Sequence, residues 1–444
     1  MSDNRTSRVI IAGWHDDSNK GDAAILLALL QLLDDRLPKV DFCVQLCVHH
    51  TSTIYPGMLR HTQRLFQRPL VPLTSLFRRG SNWKLVRALY LFLSLVRSLL
   101  AILAPNRACR RLLDSQELKT FEAYFDCRAV IGKGGHYFYG GNGIRGLLAA
   151  YIQGFPFLLA RRLKVPYALI GISVGPYSSF IEKIVPTLVL KGAVAVSARE
   201  RISYETIRKL VGDETEVFQT TDLAFWLRQY RHCKTGLSLV DRNLGGKYII
   251  LCPRVAFPGD PHRLKSKRYL KFAEQVIQLL IEGCGIKVAI VLNAVRACES
   301  RQFETEDDRQ FITDLKHSGF ARSDVTFVTQ DLDPIELLSI YSRAELVIGT
   351  RLHSVIFGLL CHKPVIAISY YGPKMQILVD FQLEHFVVDI NRLELTQIGQ
   401  LIDYVLDRKE ALEHEIRVKV GRAEKTIEED GALRLICDLI KAPG

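Results

Sequence analysis

Several things are missing from this chain of 444 residues, and each absence narrows its function. Its ten cysteines are scattered and no C-x-x-C pair recurs, which argues against a zinc module. There is no Asp-rich cluster, so no obligatory metal and no cofactor are expected. No basic strip is interleaved with aromatics and no nucleic-acid motif is present, so nucleic acid is not an expected partner. Residues 1–7 are polar and lead directly into the first strand, so no secretory leader is expected. Unpaired, scattered cysteines then suggest a reducing compartment, the cytoplasm. Long apolar runs are scarce too: Leu85–Leu103 (LVRALYLFLSLVRSLLAIL) stands almost alone.

What is present is ordinary globular material with a basic bias. Apolar residues make up 48% of the chain, enough for sizeable cores. The formal net charge of +12 favours anionic partners such as phosphate esters, anionic glycans or a lipid surface. The length suggests two domains. Runs rich in β-branched residues recur at Val9–Ala12, Ala129–Gly132, Tyr167–Ile172, Ala193–Val196, Tyr248–Cys252, Lys287–Leu292, Leu346–Ile348 and Pro364–Ile368. Phe42–Val48 adds a strand to the first group. Helical patterns separate them, which indicates parallel sheets with crossover helices. The polar stretch Leu227–Lys247 reads as a linker. The expected architecture is α/β, with two Rossmann-like doubly wound domains facing a central cleft. Residues 1–230 form the first, with an apolar insert at about 53–106. Residues 245–400 form the second, and residues 401–444 are closing helices. In such sheets ligands bind at the carboxyl ends of the strands.

The insert fits this pattern poorly. In Leu85–Leu103 the polar residues Arg87, Ser94, Arg97 and Ser98 share one narrow helical face. Arg97 would lie beyond mid-span, at appreciable cost, so a membrane span is not expected. Arginines flank the run on both sides. A basic-flanked apolar helix can lie in a membrane interface, or it can pack or dimerise.

Chemistry concentrates at strand ends. Ile348-Gly349-Thr350-Arg351-Leu352-His353 closes one strand and opens a helix, a junction that aims N–H groups and a positive helix end at one spot. Arg351 adds a forked, permanent cation and His353 a proton donor working near neutral pH. Taken alone, such a pair is more often an Arg–carboxylate bridge and a core-edge histidine. Arg254, after the strand ending at Cys252, and Lys374, after Ser369-Tyr370-Tyr371-Gly372-Pro373, are further anion ligands. Arg199 is another, unless it pairs with Glu200, Glu205 or Asp222. In the first half, Asn19, Gly21 and Asp22 form a loop in which Gly21 permits the turn and Asp22 caps the next helix. Gly132-Lys133-Gly134-Gly135 is a second loop. His136 and Tyr137 follow it and could stack on a sugar face.

The order of these pieces carries a resemblance. An N-x-G-D loop, a Gly-Gly loop, a G-x-x-x-G-P turn (Gly171–Pro176), the R-L-H junction and an S-Y-x-x-P-K end together resemble the polysaccharide pyruvyl transferase family over roughly residues 8–390. The resemblance implies a GT-B-like fold and transfer of a pyruvyl group from phosphoenolpyruvate to a sugar diol of a polysaccharide, glycan or lipid-linked precursor, forming a ketal and releasing phosphate. Such a reaction needs cations for a carboxylate and a phosphate, an acid for the enol methylene carbon, and partners for two hydroxyls. On that reading His353 and Arg351 are catalytic, with His136 the alternative acid. Arg254, Arg351, Lys374 and Arg199 bind the donor. Asn19, Asp22, Gly134, Gly135, His136 and Tyr137 bind the acceptor. A nucleotide-sugar glycosyltransferase, with Asp380 or Glu384 on the ribose, and a non-catalytic glycan-assembly protein are the competing readings. Peripheral membrane contact is expected of the insert.

Overall fold

The computed structural model describes residues 8–13, 19–45, 70, 84–105, 107–138, 140, 143–227, 246–255, 264–295, 307–318, 320, 322–370 and 375–442. Two compact units divide the chain. One comprises Met1–Asp16, Ile25–Leu223 and Thr426–Gly444, the other Asp17–Ala24 and Ala224–Lys425.

The first unit is built on a parallel sheet. Its strands are β1 (Arg8–Ala12), β2 (Asp41–Val44), β3 (Ala129–Gly132), β4 (Gly135–Phe138), β5 (Tyr167–Val174), β6 (Ala195–Ala198) and β7 (Glu216–Gln219). They run in the order β2-β1-β3-β5-β6-β7, with β4 paired to the far end of β5. All eight residues of β5, Tyr-Ala-Leu-Ile-Gly-Ile-Ser-Val, are buried. A strand covered on both faces reads as a continuous apolar run, which is why these strands are visible in the sequence. Helices cover the sheet, among them Ser115–Asp126, opened by a capping box in which Asp114 and Glu117 satisfy each other's backbone N–H groups.

The second unit contains β8 (Tyr248–Cys252), β9 (Lys287–Val291), β10 (Val325–Val328), β11 (Leu346–Gly349), β12 (Val365–Ser369) and β13 (Val387–Asp389). Every pairing is parallel, in the order β10-β9-β8-β11-β12-β13. Renumbered from β8 this is 3-2-1-4-5-6, the doubly wound dinucleotide-fold order, whose strand sequence reverses between β8 and β11. The α/β class read from the sequence is therefore the observed one.

Two segments lie in a unit other than the one their sequence position suggests. Residues 17–24 belong to the second unit. There Asn19 forms an antiparallel bridge with Ala294, and the Lys20 N–H donates to the Asn293 carbonyl at 3.0 Å. The last helix, Gly431–Lys441, belongs to the first unit. It buries Leu433, Ile436 and Ile440 and packs on β5 and β6, with Gly431 fitted against the Phe218 ring of β7. The linker expected at Leu227–Lys247 lies mostly outside the described residues.

Candidate active site in the second unit

The carboxyl ends of five neighbouring strands of the second unit carry the polar side chains. Arg254 follows β8, Asn293 follows β9, and Asp331 follows β10. Thr350, Arg351 and His353 follow β11, and Tyr370 follows β12. Arg254 and Arg351 thus stand on the two strands that flank the reversal point.

Arg351 is the N-cap residue of the helix Leu352–Leu360, with extended backbone angles, and its carbonyl accepts from the Ser354 hydroxyl at 2.6 Å. Its guanidinium grips Asp308 in a fork: Nε donates to Oδ2 at 2.6 Å and Nη2 to Oδ1 at 2.7 Å. Asp308 is fully buried and Arg351 is 8% exposed. The Ala294 N–H adds a third bond to Oδ2 at 3.0 Å. Burial pushes the Asp308 carboxyl above its ordinary value. Arg351, and more weakly Arg254, pull against that rise without cancelling it. A forked pair of this kind fixes orientation more than it adds stability, and losing either partner strands a buried charge.

Arg254 is held differently. Its guanidinium carbon lies 4.6 Å above the Tyr370 ring, and Nη1 donates to the Tyr370 hydroxyl at 2.9 Å. It is half-buried, so an anion reaches it more readily than it reaches Arg351. Thr350 shares a 2.6 Å hydrogen bond with the buried Tyr269 hydroxyl. Cys252 ends β8 beside these groups. Burial pushes its thiol up to about 12, so it stays protonated at neutral pH and is no nucleophile.

His353 sits against the N-terminal loop. A Cβ placed on Gly21 would lie 2.0 Å from its Nδ1. Only glycine leaves room for the imidazole, and here the requirement is space. Asn19 completes the loop: its Oδ1 accepts from the Gly21 N–H at 3.2 Å and its Nδ2 donates to Asp22 at 3.0 Å. The capping role expected of Asp22 therefore falls to Asn19. Lys20, buried, forms an ion pair with Asp331.

The other expected site residues are placed as follows. Arg199, in the first unit, donates to Asp222 at 2.8 Å and to Glu200 at 3.1 Å. Its guanidinium is engaged by two carboxylates, which removes the reason to give it a donor anion. Tyr137 is buried in β4 and donates to the Ala12 carbonyl at 2.9 Å, so its ring packs in the core and presents no face to a sugar. Gly134 lies against the Gly171 carbonyl, Ile25 and Leu223, and Gly135 has φ 115°. His136 is half-buried and its Nε2 is 3.0 Å from the Gly175 carbonyl. Lys374 lies outside the described residues.

The family model described as polysaccharide pyruvyl transferase matches residues 19–372. The chain belongs to the polysaccharide pyruvyl transferase family. Within the second unit, every described site residue named above falls inside the matched segment. The amylovoran biosynthesis protein AmsJ of Erwinia amylovora is 24% identical over 445 residues, covering 98% of this chain and all of that protein. Among solved structures, the UDP-GlcNAc 2-epimerase of Neisseria meningitidis aligns with TM-score 0.56 at 11% identity, over 98% of this chain and 99% of its own. The Anabaena protein Alr3699/HepE, solved with UDP and glucose, aligns with TM-score 0.52 at 13% identity over 96% of each chain. At such identities the likeness is one of fold, and the fold of this family member is GT-B-like. Sequence reasoning missed Asp308, the Arg254–Tyr370 stack and the seat of His353 on Gly21.

Proposed function

We propose that the protein transfers the pyruvyl group of phosphoenolpyruvate to two hydroxyls of one sugar during exopolysaccharide synthesis. The observation that carries this reading is the cluster at the reversal point: two arginines and a histidine whose imidazole is seated on Gly21. Kinship to the pyruvyl transferases and to an amylovoran biosynthesis protein supports the substrate class.

The chemistry follows from what the donor requires. Its carboxylate and phosphate need cations, and Arg254 supplies one, steered by Tyr370. Arg351, locked by Asp308, adds fixed positive charge behind it. His353 gives a proton to the methylene carbon, which becomes a methyl group as the carbon–carbon double bond becomes single, and C2 becomes an oxocarbenium ion. One acceptor hydroxyl attacks C2 and loses its proton, for which Asp22 next to Gly21 supplies a carboxylate. The C2–O bond to phosphorus then breaks and phosphate leaves. The second hydroxyl attacks C2, and its proton balances the phosphate released. The products are the ketal and inorganic phosphate.

Thermal-shift titration with phosphoenolpyruvate and with UDP-sugars tests the donor. Stabilisation by phosphoenolpyruvate, about tenfold weaker in affinity for Arg254→Ala as expected for one lost charge-assisted contact, supports the reading. Stabilisation by a UDP-sugar alone overturns it in favour of a glycosyltransferase.

A further inference from the structure

The helix Lys84–Leu103, in the first unit, has its polarity turned inside out. Ser94 and Ser98 are each 1% exposed. The Ser98 hydroxyl donates to the Leu95 carbonyl at 2.8 Å and lies 2.9 Å from the Tyr151 hydroxyl. Arg97 turns toward the buried Glu117, 3.8 Å away. The outward face carries Leu89, Phe92, Leu93, Val96, Leu100 and Leu103, and Leu103 is 67% exposed. A contiguous apolar stripe of this kind on a water-facing helix marks an interaction surface.

A second helix repeats the pattern. Phe180–Lys191 exposes Phe180, Ile181, Ile184 and Leu188, Phe180 to 79%. Both helices pack against Ile144–Arg162. The end of that middle helix ties them together: Arg162 donates to the Leu103 carbonyl at 3.3 Å and Arg161 to the Leu188 carbonyl at 2.8 Å. Both arginines are exposed, as are Arg110 and Arg111, a few residues beyond Leu103.

We propose that this face docks on the surface of a bilayer containing anionic lipid, with the two apolar stripes at the acyl boundary and the arginines among the phosphates. Charge decides between a lipid surface and a second copy of the chain. The helix Lys84–Leu103 contains no Asp or Glu, so the same helix of a paired copy would offer its basic residues no acidic partner. Two copies would also bring like-charged arginine rims together, whereas lipid phosphates complement them. No helix among the described residues is long and apolar enough to cross a membrane, so the stripe lies in the plane of the interface.

The test is flotation of the full chain with phosphatidylcholine vesicles, with and without phosphatidylglycerol. The wild type is expected to float with the anionic vesicles and to be released by high salt. Leu93→Gln/Leu100→Gln and Phe180→Ser/Ile184→Ser should each lower the bound fraction about tenfold, given the apolar area withdrawn. Arg161→Gln/Arg162→Gln should weaken binding by a comparable factor on anionic vesicles only. Thermal melts check that each variant is folded. A wild type that stays behind, or folded apolar variants that float as it does, overturns the proposal. So does a sedimentation profile in which the wild type is a dimer, Leu93→Gln/Leu100→Gln is a monomer, and flotation is the same for both.

Discussion

The two units share a layout of parallel strands but arm their strand ends differently. In the first, Arg199 faces two carboxylates, Asp222 at 2.8 Å and Glu200 at 3.1 Å, and Glu200 is further fixed by the Ser173 and Ser203 hydroxyls. In the second, Asp308 faces two guanidiniums: Arg351 grips it directly and Arg254 is close enough to oppose the rise that burial imposes on its carboxyl. Among these named groups the first cluster carries an excess of negative charge and the second an excess of positive charge. The fold supplies positions, while the side chains placed there set the charge each unit offers a ligand.

Removing the proton donor probes that assignment most severely. His353→Gln should lower the transfer rate about 10²–10⁴-fold while phosphoenolpyruvate affinity changes little, because the proton moves only at the transition state. A folded variant turning over near the wild-type rate would remove His353 as the acid and bring His136 forward. Breaking the two arginine clusters comes next. Arg351→Ala strands the buried Asp308 and should cost about 3–5 kcal/mol of stability in a denaturant melt, together with donor affinity. Arg199→Ala should also destabilise, yet leave the phosphoenolpyruvate affinity of the folded protein unchanged. Equal loss of affinity in both variants would erase the distinction between the units.

Much of this arrangement was legible beforehand. Buried parallel strands announce themselves as apolar runs, so β1, β3, β5, β8, β9, β11 and β12 were each visible. By contrast β4, Gly-His-Tyr-Phe, follows two glycines and looks like an aromatic loop; pairing with the end of β5 makes it a strand. The edge strands β10 and β13 were missed because they are only part buried, so Val-Thr-Phe-Val and Val-Val-Asp carry no continuous apolar run. Arg254, Arg351 and His353 could be named because they follow strands directly. Asp308 could not, since its partner is a tertiary contact formed across an aperiodic stretch. Gly21 was read as a turn residue, because nothing local shows that an imidazole from a distant helix rests on it.

That seat gives a gentler way to sharpen the comparison. Gly21→Ala places a methyl where the His353 ring lies, and the ring must swing away. Alanine is well tolerated in a helical first turn, so the fold should survive and melting should change little. Misplacing a catalytic group by about 1 Å can cost on the order of 100-fold in rate. Gly134→Ala in the first unit meets a backbone carbonyl and should instead appear as lost stability. A fully active Gly21→Ala enzyme would show that the ring needs no such seat.

The smallest effect concerns Asp430, a buried carboxyl of the first unit held by N–H and hydroxyl groups. Asp430 caps the helix Gly431–Lys441, accepting from the Leu433 N–H at 2.9 Å. Burial pushes its carboxyl up, while the Leu433 N–H and the Ser197 and Thr220 hydroxyls oppose the rise without cancelling it. A carboxyl raised on folding binds its proton more tightly in the folded chain. Its contribution to stability is therefore full below the unfolded value, near 3.9, and is lost as pH rises through the raised folded value. Asn caps helices about as well as Asp and does not titrate. The stability of the wild type relative to Asp430→Asn should thus fall steadily from acidic to neutral pH, so that the variant gains ground as the medium is neutralised. Denaturant melts of both proteins across that range measure the difference directly. A gap that widened in favour of the wild type toward neutral pH would mean that Asp430 is stabilised as an anion and that its hydrogen bonds outweigh its burial.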